Sequence, residues 1–185
     1  MENKVIGLAS DHAGYALKQY VKEYLEAQGI AYKDYGCYNE DSCDYPDFAH
    51  ALANGMAAAE CQQGIAICGS GEGISMTLNK HNHIRAALVW IPEIARMTRM
   101  HNDANVLVMP GRYIDTATAK SIMDEFLQTP FEGGRHNRRV EKIPMYERNK
   151  LVTLKNTEES LETRDNLNVP RIETPSIDSV VANAS

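Results

Sequence analysis

The part of this chain best suited to chemistry is residues 68–73, which read Cys-Gly-Ser-Gly-Glu-Gly. An apolar run precedes it and a stretch with helical character follows, so its backbone N–H groups would lie uncovered at a helix N-terminus. Such a loop suits a phosphate or an oxyanion. A thiol beside these amides is stabilised as the thiolate, which would make Cys68 an effective general base.

Each of these features also has a simpler interpretation. A cysteine that ends a buried strand is often only a small core side chain, and alternating glycines are often only a tight turn. Within the loop, the hydroxyl of Ser70 could orient a substrate oxygen. Glu72 stands between two glycines, and we expect its carboxylate to point outward, because it would otherwise oppose the binding of an anion.

Four more polar residues lie at junctions between predicted strands and helices. Asp11 and His12 follow the first strand, so a parallel sheet would place them at the same edge as Cys68. Asp11 is equally suited to capping the next helix. His101 and Asn102 precede a later strand, and we expect them at this edge too, as an acid with an orienting amide.

Arginines are concentrated near the end of the patterned region. Arg112 follows a predicted strand, and Arg135, Arg138 and Arg139 form a cluster after two glycines. Such a run is often a solvated surface, but in an acidic chain it also suits bidentate binding of phosphate. With Cys68, the cluster indicates a small phosphorylated substrate and proton transfer. Metal-ligand spacings and nucleotide-binding glycine motifs do not occur, so we expect neither a metal nor a nucleotide.

Composition narrows the class of protein further. The 185 residues carry a net charge of −6, which argues against a general binder of nucleic acid or of membrane surfaces. Apolar runs are too short for a transmembrane helix, and the N-terminus does not read as a signal peptide. The four cysteines form no zinc-binding spacing, so we expect free thiols and a cytoplasmic location.

The elements that must position these residues alternate between strands and helices. Predicted strands cover residues 5–8, 30–35, 64–68, 84–89 and 105–109, and predicted helices cover residues 17–29, 48–61, 74–80, 92–100 and 116–127. The alternation indicates an α/β fold, a Rossmann-like three-layer α/β/α arrangement with a parallel sheet of about five strands.

The composition changes towards the C-terminus. One more helix is predicted at residues 140–150, and beyond it three basic residues face six acidic ones with little periodicity. We therefore divide the chain into a domain of residues 1–150 and a polar, acidic C-terminal extension of residues 151–185, which we expect to be flexible.

The order of the motifs resembles that of the type B ribose-5-phosphate isomerases. The resemblance runs from the first predicted strand to about residue 150 and rests on these segments: Ser10-Asp11-His12-Ala13-Gly14, Asp44-Tyr45-Pro46-Asp47, Cys68-Gly69-Ser70-Gly71-Glu72-Gly73, Asn79-Lys80, His101-Asn102-Asp103-Ala104-Asn105-Val106 and Gly133-Gly134-Arg135-His136-Asn137-Arg138-Arg139.

This resemblance implies a homodimer, or a tetramer, with active sites at the dimer interface. It implies a phosphorylated sugar as substrate and the interconversion of ribose 5-phosphate and ribulose 5-phosphate through a cis-enediol, without a cofactor. Cys68 would move the proton between C2 and C1, and the amides of Gly69, Ser70, Gly71, Glu72 and Gly73 would hold the enediolate.

The same resemblance implies roles for the remaining residues. His101 would be the acid that opens the furanose ring, with Asp11 as its proton partner and Asn102 orienting the sugar. The phosphate would bind Arg135 and Arg139 together with His12 and Arg112. Some of these groups would come from the partner subunit.

Two positions depart from the pattern of the whole family, and alternative functions remain. Ser70 stands where many members have threonine, and Ile74 stands where one branch carries a catalytic glutamate, so the chain resembles the cysteine branch. The substrate could instead be another aldose phosphate, such as allose 6-phosphate, galactose 6-phosphate or a four-carbon sugar. The other alternative is a non-catalytic phosphosugar-binding module.

Overall fold

Strands and helices alternate through residues 4–144, which are the part of the chain that the computed structural model describes. The strands are β1 (Ile6–Ser10), β2 (Tyr32–Asp34), β3 (Gln63–Cys68), β4 (Ala86–Leu88) and β5 (Val106–Pro110). The helices are α1 (Tyr15–Ala27), α2 (Tyr45–Ala57), α3 (Glu72–Leu78), α4 (Pro92–Asn102), α5 (Thr116–Gln128) and α6 (Asn137–Val140), with short 3-10 helices at His12–Gly14 and Gly134–His136.

The strands form one parallel sheet in the order β2-β1-β3-β5-β4. Side chains of β3 alternate between its faces, as a strand requires. Ile65 and Ile67 pack with α1, α4 and α5, whereas Ala66 and Cys68 pack with α2 and α3. Both faces of the sheet are therefore covered, and the predicted three-layer α/β/α architecture is confirmed.

Most predicted elements are confirmed within a few residues, but the predicted helix at 140–150 is wrong where the structure describes it. Helix α6 lies earlier, at Asn137–Val140, and residues 141–144 form turns and bends. The proline at 144 accounts for this, because a proline disfavours helical backbone in the residue before it. The rest of that segment and the extension at 151–185 lie outside the described residues. Within residues 4–144, every helix is too short or too polar to cross a bilayer.

A buried lysine fixes the loop that follows β2. Lys18 of α1 is fully buried, and its Nζ lies 2.7 Å from Asp34 Oδ1 and 2.5 Å from the carbonyl oxygen of Cys37. The Cys37 amide in turn donates to the Ser10 carbonyl at the end of β1, at 2.7 Å. Burial lowers the pKa of Lys18, and the neighbouring Asp34 carboxylate opposes that shift. Breaking this ion pair would remove the closest donor of both Asp34 and the Cys37 carbonyl.

Replacing Lys18 therefore tests whether the buried ion pair supports the fold. In Lys18→Met, Asp34 and the Cys37 carbonyl lose their closest donor, and we expect the free energy of unfolding to fall by about 3 kcal/mol in urea titrations. Lys22→Met is the matched control, since Lys22 contacts the same carboxylate at 3.4 Å from a more exposed position. It should cost less than about 1 kcal/mol. Equal losses in the two variants would contradict the account.

Candidate functional site

One group of predicted site residues lies together at the carboxyl edge of the sheet. The chain runs from β1 outward to β2 and then returns to β3 on the other side of β1, so a crevice is expected between the ends of β1 and β3. Asp11 and His12 follow β1, Cys68 ends β3, and Arg112 follows β5. Backbone hydrogen bonds join these ends: Asp11 N donates to Ile67 O at 3.2 Å, and Arg112 N donates to Gly69 O at 3.1 Å.

The glycine loop after Cys68 presents free amides at this edge. Within the described residues, the N–H groups of Gly69, Ser70, Gly71 and Gly73 donate to no backbone acceptor. Gly71 has φ +78°, and a Cβ at this position would lie 2.4 Å from Leu88 Cδ1, so a side chain is excluded on two grounds. A row of N–H groups that is already oriented can stabilise an oxyanion without rearranging.

The side chains of the loop divide between surface and core. Glu72 is the first residue of α3, and its side chain is exposed to solvent, as expected. Its amide lies 3.3 Å from Ser70 Oγ, so the Ser70 hydroxyl hydrogen stays available for another acceptor. Cys68 is only 4% exposed and belongs to the cluster on the α2 and α3 face, with Ile74 and Val108 among its members. The thiol therefore lies at the boundary between the apolar core and the loop amides.

Asp11 and His12 are both held by backbone groups. Asp11 is 6% exposed, and its Oδ1 accepts from the Gly14 amide at 2.9 Å, so it caps the 3-10 helix that follows. His12 Nδ1 lies 3.2 Å from the Cys43 amide nitrogen and 3.3 Å from the Cys43 carbonyl oxygen. Because Nδ1 is anchored in this way, Nε2 is the ring nitrogen left for a ligand.

Tyr45, which was assigned no role from the sequence, is a neighbour of the glycine loop. A Cβ built on Gly73 would lie 2.4 Å from the Tyr45 ring, so the ring packs directly on this glycine. Tyr45 is the first residue of α2, and proline in the first turn is typical of a helix start. The Asp44-Tyr45-Pro46 sequence carries that signal, but a helix start alone does not reveal which loop it packs against.

His101 and Asn102 do not lie at this edge, and the expectation from the sequence was wrong. They end α4, which runs antiparallel to the strands and leads into β5, so they lie at the amino edge of the sheet. The Asn102 carbonyl accepts from Arg85 Nε at 3.1 Å, just before β4 begins. The five residues of β5 alone span about 13 Å between the two edges. Within one chain, His101 is therefore separated from Cys68 and from Asp11.

A second group of polar residues surrounds His101. The segment after α5 returns to this edge, where the Glu132 amide donates to the Met100 carbonyl at 3.1 Å. The rings of His101 and His136 stack with centroids 4.5 Å apart and planes 11° apart. Glu132 Oε2 lies 3.7 Å from His101 Nε2 and 3.6 Å from His136 Nε2. Neither Glu132 nor His136 was assigned a role from the sequence.

Three side chains of this second group lie close enough together to hold a metal. One ligand atom each from His101, Glu132 and His136 falls within 4.8 Å of the others. An imidazole lone pair lies in the plane of its ring, however, and two nearly parallel stacked rings direct their lone pairs side by side rather than to one point. The arrangement suits a stacked pair of rings beside one carboxylate, and we assign no metal to it.

The arginine cluster also belongs to the second group. Arg135 lies in the 3-10 helix beside His136, and Arg138 and Arg139 lie in α6. All three are exposed. Helical spacing puts Arg135 near both Arg138 and Arg139, which are three and four residues away, but the adjacent side chains of Arg138 and Arg139 project in different directions. Arg112 remains at the carboxyl edge, so the predicted phosphate ligands are divided between the two edges.

Known proteins share this arrangement of elements. A family model described as Ribose/Galactose Isomerase matches residues 6–143. A probable ribose-5-phosphate isomerase B of Mycoplasma pneumoniae is 46% identical over 149 residues, 80% of this chain and 98% of the relative. A ribose 5-phosphate isomerase structure from Thermotoga maritima has a TM-score of 0.76 at 48% identity, covering 77% of this chain and 99% of the other.

A further solved structure contains a sugar phosphate. It is ribose-5-phosphate isomerase B of Mycoplasma genitalium with bound ribulose-5-phosphate, similar with a TM-score of 0.73 at 39% identity, covering 77% of this chain and 95% of the other. These matches confirm the resemblance read from the motifs. The chain therefore belongs to the ribose/galactose isomerase family.

Proposed function

We propose that this chain interconverts ribose 5-phosphate and ribulose 5-phosphate, with Cys68 as the general base. The observation that carries the proposal is a buried thiol at the end of β3, directly followed by amides without backbone acceptors. Aldose–ketose isomerisation needs these two groups together: one that moves a proton between carbons, and one that stabilises the oxyanion formed in between. The relative that was solved with ribulose-5-phosphate supports the choice of sugar.

The reaction can be written as a series of proton transfers between named atoms. Ring opening moves a proton from O1 to the ring oxygen, with His101 as the acid and Asp11 as the base. The Cys68 thiolate then removes the proton from C2, and the electrons of the broken C–H bond form the enediolate. The amides of residues 69–71 hold its charge, a contribution of about 3 kcal/mol for a donor of this type. Returning the proton to C1 and moving the hydroxyl proton from O2 to O1 completes the ketose.

We further propose that a second copy of the chain completes each site. Cys68, Asp11 and His12 lie at the carboxyl edge and His101 at the amino edge, too far apart to act on one small sugar. In a twofold dimer, the carboxyl-edge surface of one subunit can face the amino-edge surface of its partner. The symmetry repeats this contact, so two equivalent sites can form. One subunit would supply the thiol and the amides, and its partner would supply the acid and Asn102.

The same division applies to the phosphate. His12 and Arg112 would approach it from the subunit that carries the thiol, and Arg135 and Arg139 would approach it from the partner. A guanidinium group binds a phosphate through two parallel hydrogen bonds, so the arginines would contribute most of the affinity. The phosphate of one substrate would therefore be bound by residues from both subunits.

The preferred sugar is tested by comparing substrates at equal enzyme concentration. We expect purified protein to form ribulose 5-phosphate from ribose 5-phosphate faster than it isomerises allose 6-phosphate or galactose 6-phosphate. Faster turnover of a six-carbon sugar would replace the proposed substrate but keep the reaction. Sugar-phosphate binding without turnover of any aldose phosphate would instead favour a binding module.

Replacing the thiol tests its role as base. In Cys68→Ala we expect kcat to fall by roughly 10²- to 10⁴-fold, because a general base contributes this much, while inorganic phosphate still binds. Cys61→Ala is the matched control, since Cys61 is 2% exposed and belongs to the same core cluster but lies before β3 rather than at its carboxyl end. Near-normal kcat in Cys68→Ala, or an equal loss in both variants, would disprove the assignment.

Neighbouring arginines provide a second matched comparison. Arg139→Ala should raise KM for ribose 5-phosphate and Ki for inorganic phosphate by about 10- to 100-fold, the value of a charged hydrogen bond. Arg138→Ala removes the same charge from the adjacent position and should change both constants less than about threefold. If steady-state kinetics give the same change for both, the cluster acts only through its general charge, and the proposed contact is wrong.

A further inference from the structure

We infer that His136 is a positioning residue, which holds the ring of His101 and joins it to the phosphate-binding Arg135. The inference rests on the proposed function, since it gives His101 and Arg135 the roles described above. It concerns residues of one chain, so it applies whichever subunit supplies the thiol. Three observations carry it: the ring stack, the direction of one hydrogen bond, and the placement of Glu132.

The stack constrains a side chain that would otherwise be free. The His101 side chain is 36% exposed and ends a helix, where a ring can usually rotate about two bonds. His136 is 4% exposed, so its own ring is fixed by the surrounding structure. With the rings 4.5 Å apart and 11° from parallel, the fixed ring sets the plane of the mobile one. An acid that must reach a ring oxygen gains from having this plane set in advance.

The hydrogen bond from Arg135 determines the protonation of His136. An arginine Nε can only donate, and it donates to His136 Nε2 at 3.3 Å. His136 Nε2 must therefore be an acceptor, which places the ring proton on Nδ1 and leaves the ring neutral. Burial lowers the pKa of His136, and the neighbouring His101, Arg135 and Arg139 lower it further, while Glu132 opposes them. A neutral His136 ring adds no positive charge beside His101.

The same bond leaves the rest of the Arg135 guanidinium free. Donation from Nε to His136 leaves the Nη1 and Nη2 edges for phosphate oxygens. Glu132 Oε2 lies 3.7 Å from His101 Nε2, so a carboxylate faces the ring that would act as the acid, whereas His136 Nε2 already accepts from Arg135. A phosphate on Arg135 would then be separated from the acid by one ring only. His136 thus ties the group that binds the substrate to the group that opens its ring.

A double-mutant cycle separates positioning from a general structural effect. We expect His136→Ala to lower kcat for ribose 5-phosphate by about tenfold in the natural chain, and by less than about twofold in a His101→Ala background. His136→Phe keeps a flat ring for the stack and should recover most of the lost kcat, whereas His136→Gln keeps only an acceptor and should not. The same loss in both backgrounds, or no difference between Phe and Ala, would overturn the inference.

Proton NMR tests the contact without any turnover. The His136 imidazole should titrate below the ordinary histidine value of about 6.5. Its midpoint should rise in His101→Ala, because a neighbouring positive charge is removed. A His136 titration midpoint of about 6.5 that does not change in His101→Ala would contradict the stacked pair. This result does not depend on which sugar is the substrate. If the natural chain shows no turnover, the proposed function is wrong. The NMR titration would then still test whether the His101 and His136 rings are stacked.

Discussion

The direction of the strands is the constraint on which the rest of this structure depends. In a parallel sheet every strand ends at the same edge, and every connecting helix must run back to the other edge. Residues that follow a strand therefore collect at the carboxyl edge, and residues that end a helix collect at the amino edge. Cys68 and Asp11 belong to the first group, and His101 belongs to the second. The groups proposed to act on one sugar are thus divided between the two edges of the sheet within one domain.

Rigidity at the carboxyl edge has two sources. Alternation in β3 directs the Cys68 side chain into the α2 and α3 face, while its backbone continues into the glycine loop. Beside it, Lys18 of α1 holds the loop after β2, whose Cys37 amide bonds to the end of β1. The same stretch leads to Cys43, which anchors the His12 ring. A buried lysine costs desolvation energy that its partners only offset. Its place under the site indicates that fixed geometry, rather than stability alone, is what it provides.

The sequence predicts the architecture and the first group of site residues well. Apolar runs alternate with helical patterns, and the Cys68 segment combines a thiol with glycines at a strand end, so each signal is local. The expectation for His101 was wrong although the order of elements held the signal, because a helix that leads into a parallel strand ends at the amino edge. The sequence does not reveal His136 or Tyr45, since a ring stack and a ring packed on Gly73 exist only in the folded chain.

The central claim is that each site takes its thiol from one subunit and its acid from another. Mixing Cys68→Ala and His101→Ala chains, unfolding them together and refolding them tests it directly. Random pairing puts half of the subunits in mixed dimers, each with one intact site, so activity should recover to about a quarter of that of the natural protein. A mixture that stays as inactive as its parents would contradict the claim, because both groups would then have to act within a single chain.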